Sequence, residues 1–246
     1  MKKVILVLDS GIGGLNTLKT LSCVAPNNYV YFADYKNHPY GTKGAQSLIE
    51  NSLVLIENLR SKFDVKGIVV ACNTLTAVAI ESIRKANDDI FVVGTEPALK
   101  LAKDSGGKEI LLLATPNTIK YSKIVNNFQS KVKFHTKAFP NLASDIEDNL
   151  DDLQALLPAL RENLQNYDNV DSVVLGCTHY LFVKPLLKKL FRSDVKFFDG
   201  NFGVANRCKA LFKCEKNQIE LSTNIITKRE RIEHAWEMIE EGVCAE

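Results

Sequence analysis

An α/β fold of two similar, doubly wound parallel units is predicted by three features of the 246-residue sequence. Short apolar runs alternate with amphipathic helical patterns, the signature of strand then helix, repeated. Several of those runs are apolar without a break, as strands covered on both faces of a parallel sheet are. Strand type, strand-end chemistry and spacing also recur. "VILVLDSGIGG" and "EILLLATPNTI" both close in a small hydroxyl residue, Ser10 and Thr115, and a strand-end cysteine follows each after 62 residues, Cys72 and Cys177. A helix comes after each cysteine, then a strand closing in glycine 22 residues on (Gly94) or 23 (Gly200).

In order, the strands are read at "KVILVL", "NYVYFA", "KGIVVA", "IFVVG", "EILLLA", "KVKFHT", "SVVLG" and "VKFFD". The first, third, fifth and seventh carry the unbroken apolar character. Between them, "GAQSLIENSLVLIENLRSKF", "TAVAIESIRKA", "NTIKYSKIVNNF" and "YLFVKPLLKKLF" have helical patterning, and "TKRERIEHAWEMIEE" reads as a terminal amphipathic helix. The expected division assigns 1–96 with 208–246 to the first unit, the terminal helix returning to it, and 97–207 to the second. Ligands of open α/β sheets bind beyond the carboxyl ends of the strands. Two units facing each other about a pseudo-two-fold axis would therefore place Cys72 and Cys177 in one shared cleft.

Composition narrows the function classes. Lys and Arg total 31 against 29 Asp and Glu, a net charge of +2, with the basic residues scattered. Nucleic-acid binding calls for a basic stripe, so no nucleic-acid partner is expected. No apolar run nears the roughly 20 residues of a membrane span, and Asp9 interrupts the apolar start, which argues against a signal peptide. A cytoplasmic protein without a membrane partner is expected. Cys23, Cys72, Cys177, Cys208, Cys214 and Cys244 would then be free thiols. The absence of CxxC spacing argues against a metal site, and none is expected.

"DSGIGG", residues 9–14, is a glycine-rich turn that could cradle a phosphate on its backbone amides or simply let strand and helix pack closely. Asp9 at the strand tip could cap the helix, hold a substrate amine or move a proton. Cys72 precedes Asn73 and Thr74, residues suited to a helix N-terminus, where partial positive charge lowers a thiol pKa. "GCTHY" repeats the arrangement, with His179 two residues after Cys177, placed to tune or relay a proton or else to fill the core. Two facing thiols could form a redox disulfide, bind a metal, or act as acid and base on opposite faces of a substrate. Acid–base work suits the symmetry best: one thiolate takes a proton from carbon while the opposing thiol delivers another, which inverts the centre. Ser10, Asn73, Thr74, Thr115, Thr118 and Thr178 supply short donors for substrate carboxylates. The loop "NHPYGTKG", residues 37–44, could lie over the cleft with Tyr40 and the Gly41 amide on the ligand.

"DSGIGGL", "YFADYKNHPYG", "VVACNTLTAVAIESIR", "GTEPALK", "LGCTHY" and "DGN" together resemble the cofactor-independent aspartate/glutamate racemases, over the chain from its start to about residue 207. The resemblance implies interconversion of L- and D-glutamate without a cofactor, in a homodimer that supplies D-glutamate for the bacterial cell wall. It implies Cys72 acting on the D-enantiomer and Cys177 on the L-enantiomer, assisted by Asp9 and His179. Substrate binding falls by the same likeness on Ser10, Tyr40, Gly41, Asn73, Thr74, Thr178 and His179. Glu147, in "FPNLASDIED", is matched to a further assisting acid, although relatives often carry Cys-Pro in that segment. Phe202 stands where many relatives have an acidic residue. Aspartate racemisation is the alternative within the family; a phosphate-binding module on "DSGIGG" and a sensor switching through a Cys72–Cys177 disulfide are the alternatives outside it.

Overall fold

The computed structural model describes residues 2–128 and 132–242, so that Cys244 lies outside the described residues. The first sheet holds β1 (Val4–Asp9), β2 (Asn28–Ala33), β3 (Val65–Val70) and β4 (Phe91–Gly94); the second holds β5 (Glu109–Ala114), β6 (Lys133–Ala138), β7 (Ser172–Gly176) and β8 (Lys196–Phe198). Strand order is β4-β3-β1-β2 in one and β8-β7-β5-β6 in the other, every pairing parallel. Each strand thus has a counterpart four strands later, the duplication that the 62-residue spacing predicted. One strand was not anticipated: β9 (Gln218–Thr223) extends the first sheet by pairing in parallel with β2.

Eleven helices are described: α1 (Leu15–Val24), α2 (Ala45–Arg60), α3 (Asn73–Ala86), α4 (Leu99–Asp104), α5 (Pro116–Tyr121), α6 (Lys123–Asn126), α7 (Leu142–Asp148), α8 (Leu157–Leu164), α9 (Lys184–Lys188), α10 (Asn201–Leu211) and α11 (Arg229–Gly242). The expected single helix over "NTIKYSKIVNNF" is two, because Ser122 leaves helical backbone and caps α6 with its hydroxyl, which accepts from Val125 N at 3.3 Å. "YLFVKPLLKKLF" opens with a 3-10 turn, Thr178–Leu181, before Pro185 takes the early position in α9 that a missing N–H permits.

Alternation along β1 explains why its strand is apolar throughout. Ile5 and Val7 join one core with α1, α10 and α11, whereas Leu6 and Leu8 join another with α2 and α3. The second sheet repeats the plan: Leu111, Leu113, Val173 and Leu175 pack under α7 to α9, and Ile110, Leu112 and Val174 on the opposite face. Each fully buried Leu or Ile contributes roughly 2 kcal/mol. The expected division returns the chain to the first unit after residue 207. Helix α10 begins at Asn201, and its Val204, Ala205 and Cys208 already lie in the first unit's core. The segments joining the units touch: a side chain at Gly200 would come within 2.7 Å of the Glu96 carbonyl. A cavity of about 790 Å³ opens at this crossing, lined by Pro97, Gly200 and Val204 among others, and none of the candidate site residues borders it.

Candidate active site

The site forms where strand ends of the two sheets meet. Asp9 ends β1, and its buried carboxylate is held from both units: Oδ1 accepts from Gly11 N at 3.2 Å, Oδ2 from Thr178 Oγ1 at 3.0 Å. Asp9 is therefore no helix cap, since α1 begins at Leu15 and its N-cap, Gly14, has no side-chain cap. Burial raises its pKa, against the opposing charge of His179 and the hydrogen bonds it accepts.

Cys72 sits just past β3 as the N-cap residue of α3, on extended backbone and 7% exposed. The amides of Thr74 and Leu75 favour its thiolate, as the sequence predicted, but they do not win. Burial, and then the charge of Asp9, push the thiol well above its usual pKa, so Cys72 is held protonated. The Cys177 charge adds to that shift. Both cysteines are free thiols. Cys177 matches Cys72 as the N-cap of the 3-10 turn after β7, also 7% exposed.

His179 lies behind Cys177 and is fully sequestered. Its Nε2 is 2.9 Å from Glu147 Oε1, with both side chains 2% exposed. Burial works against its protonation, yet hydrogen bonds to Cys177 and Glu147, with their charges, carry its pKa well above the ordinary value. Burial likewise opposes ionisation of Glu147, and the hydrogen bond and charge of His179 reverse that and hold the carboxyl below its usual range. The pair's stability follows with defined signs. The raised histidine contributes fully below about pH 6.5 and fades as pH rises through its native value; the lowered carboxyl contributes fully above about pH 4.5 and fades as pH falls. Glu147→Gln is expected to lose most stability, relative to the parent, between about pH 4.5 and 6.5, read as the difference in Tm across pH.

The glycine-rich turn serves a carboxylate of the protein itself. Glu147 Oε1 accepts from Ile12 N at 3.0 Å, and a Cβ at Gly11 would overlap that oxygen. At Gly13 a Cβ would collide with Thr178 Oγ1, sit 2.5 Å from His179 Nδ1 and 2.8 Å from its backbone nitrogen. Of the two readings of "DSGIGG", the structure supports close packing, between the two units. Gly13→Ala should therefore lower stability by about 1–3 kcal/mol and displace His179, measurable by denaturant unfolding and by a matching fall in activity.

Thr74, Thr115 and Thr118 gather from both units. Thr74 Oγ1 is 2.8 Å from Thr115 Oγ1 and 3.2 Å from Thr118 Oγ1, while Thr115 also caps α5. The 37–44 loop crosses to the second unit, where Asn117 Nδ2 donates to the carbonyls of Tyr40 at 3.0 Å and Lys43 at 2.8 Å. Tyr40 Oη donates to Asp34 Oδ2 at 2.7 Å, and Gly41 lies so close that a Cβ there would be 3.0 Å from Thr115. Ser10 is buried in the turn, and Asn73 turns toward the first unit's edge, its amide 3.4 Å from the Thr95 carbonyl. Asn117, Asp34 and His38, whose Nδ1 is 3.8 Å from Glu147 Oε1, were missed in the sequence. Asp34 and His38 stand in turns and loops where no periodicity marks a residue, and Asn117 lies in the first turn of α5, whose Thr-Pro start could have drawn notice.

A family model described as Asp/Glu/Hydantoin racemase matches residues 18–206. The chain belongs to that family. It is 38% identical over 216 residues to the glutamate racemase of Clostridium botulinum (strain Alaska E43 / Type E3), across 85% of this chain and 83% of that protein. To the glutamate racemase of another Clostridium botulinum (strain Hall / ATCC 3502 / NCTC 13319 / Type A) it is 34% identical over 232 residues, 91% of this chain and 86% of the relative. Its structure superposes on the crystal structure of glutamate racemase isoform RacE1 from Bacillus anthracis with a TM-score of 0.84 at 26% identity, covering 97% of this chain and 94% of that one. The match to the racemase family spans both thiols, the threonine cluster, Glu147 and His179, and begins after Asp9 and Ser10. No helix among the described residues is long and apolar enough to cross a membrane.

Proposed function

We propose that this chain is a glutamate racemase that interconverts the enantiomers by two-thiol proton transfer at the α-carbon, without a cofactor. One observation carries the chemistry: two buried strand-end thiols, one from each duplicated unit, lie where the units join, with Thr178 beside Cys177 donating to Asp9 at 3.0 Å and Thr74 near Cys72 meeting Thr115 at 2.8 Å. From L-glutamate, Cys177 removes the α-proton while Cys72, kept protonated by burial and Asp9, delivers one to the opposite face. His179, tied to Glu147, stabilises negative charge on the Cys177 sulfur. From D-glutamate the roles exchange. Thr74, Thr115, Thr118 and Thr178, with Ser10, Asn73, Tyr40 and the Gly41 amide, are the groups that would orient the substrate carboxylates. Glutamate as substrate rests on the relatives, which carry that name at 34–38% identity. A homodimer and a role in supplying D-glutamate to a cell wall belong to the same proposal.

The test is polarimetry or circular dichroism of purified protein given L-glutamate, D-glutamate and the two aspartates, with no pyridoxal phosphate added. Loss of rotation with glutamate supports the proposal. Turnover of aspartate in preference would move the substrate to the family alternative, and turnover of neither would overturn the reading.

A further inference from the structure

We propose that His38, Glu147 and His179 form a site for a divalent transition-metal ion of the zinc type, and that an ion held there silences the cleft. The three side chains come from a loop, a helix and the 3-10 turn after β7, and their ligand atoms all lie within 4.8 Å of one another. His179 Nε2 is 2.9 Å and His38 Nδ1 3.8 Å from the same oxygen of Glu147. Tetrahedral zinc at about 2.0–2.1 Å from its ligands needs donors roughly 3.3 Å apart, so small side-chain rotations complete the set.

A second observation, separate from spacing, points to a ligand. Glu147 is 98% buried by its 2% side-chain exposure, yet its Oε2 makes no hydrogen bond, and neither ring nitrogen of His38 makes one. Buried polar atoms in folded proteins are nearly always paired, so these three, with the unpaired Tyr35 hydroxyl beside Glu147 as a fourth, need an account. Two imidazoles and one carboxylate are a donor set that zinc and cobalt favour. The His38 side chain, 12% exposed, gives an ion its approach. Opposing this, Arg231 Nη1 lies 3.8 Å from Glu147 Oε2, a fixed cation that weakens the site below a dedicated structural one. An ion bound here displaces the proton that His179 Nε2 shares with Glu147, which leaves to solvent, and withdraws both side chains from Cys177. That inhibitory consequence rests on the racemase reading above; the binding does not.

The experiment uses the full chain titrated with Zn²⁺ against a chromophoric chelator, with Co²⁺ absorption in parallel and circular dichroism to confirm folding of each variant. Expected are one ion per chain, a visible cobalt spectrum without sulfur-to-metal charge transfer, and binding retained in Cys72→Ala and Cys177→Ala. His38→Asn should weaken binding on the order of a hundredfold, and Arg231→Gln should tighten it. Zn²⁺ should also inhibit racemisation by the parent, with a matching shift in potency in His38→Asn. Absence of stoichiometric binding, equal binding by folded His38→Asn, or a thiolate-to-cobalt band lost in the cysteine variants would overturn the proposal. Binding as expected by a protein that shows no racemisation in metal-free buffer would support the site and count against the racemase reading alone.

Discussion

Cys72→Ala and Cys177→Ala are each expected to lower glutamate racemisation by about a thousandfold, with Tm nearly unchanged. On the proposed mechanism each thiol carries the proton for one face of the α-carbon, so removing either one disables a half of the reaction. Both side chains are the N-cap residues of helical turns, so their loss removes a small buried group at a helix start and leaves the apolar core intact. L- and D-glutamate are mirror images, so their equilibrium constant is unity. A defect at either thiol must therefore reduce kcat/KM equally from both directions. A steady-state assay from L-glutamate and from D-glutamate checks this. Equal, large losses accord with the account, and a folded variant that keeps parental turnover would contradict it.

The second large effect is expected at Glu147. Glu147→Gln keeps the shape and an acceptor for Ile12 N but leaves a buried histidinium without its countercharge. Breaking one partner of such a pair costs about 3–5 kcal/mol, and the loss of support for Cys177 should lower turnover by about a hundredfold. The symmetry rule above makes the isotope effect the informative readout. With Glu147→Gln, proton removal by Cys177 becomes the slower half, so α-deuterated L-glutamate should show a larger primary effect than α-deuterated D-glutamate. Asp9→Asn should bias the effect toward the D-enantiomer. Equal isotope effects in both variants would argue that Glu147 and Asp9 do not serve separate thiols.

The strand ends were legible because chemistry there is local: an apolar run, then Ser10, Cys72, Thr115 or Cys177, at a spacing repeated in both halves. The likeness of the two sheets followed from that repeat, and their strand order is read from the structure. Glu147 was readable only by likeness, since its short helix lies in a stretch with no strand signal, and its partners Ile12 and His179 are 135 and 32 residues away. Strand β9 had a weak signal, the alternating "QIELST", but an edge position lets polar residues dilute the apolar period. The protonation of Cys72 was read with the wrong sign. A helix N-terminus is visible in sequence, whereas complete burial against Asp9 exists only once β1 and β3 pair. His38 lay in a loop the sequence marked, but nothing singled it out within that loop, because Glu147 and His179 come from the other unit.

The most direct test of two thiols acting on opposite faces is the fate of the α-hydrogen in deuterated water. Metal-free protein is given L-glutamate without cofactor, and both enantiomers are recovered early in the reaction and analysed by mass. The account expects D-glutamate to carry deuterium while the remaining L-glutamate keeps protium, because each face exchanges only through its own sulfur. Early D-glutamate that retains the substrate's hydrogen, or deuterium entering both enantiomers at one rate, would mean a single base serving both faces.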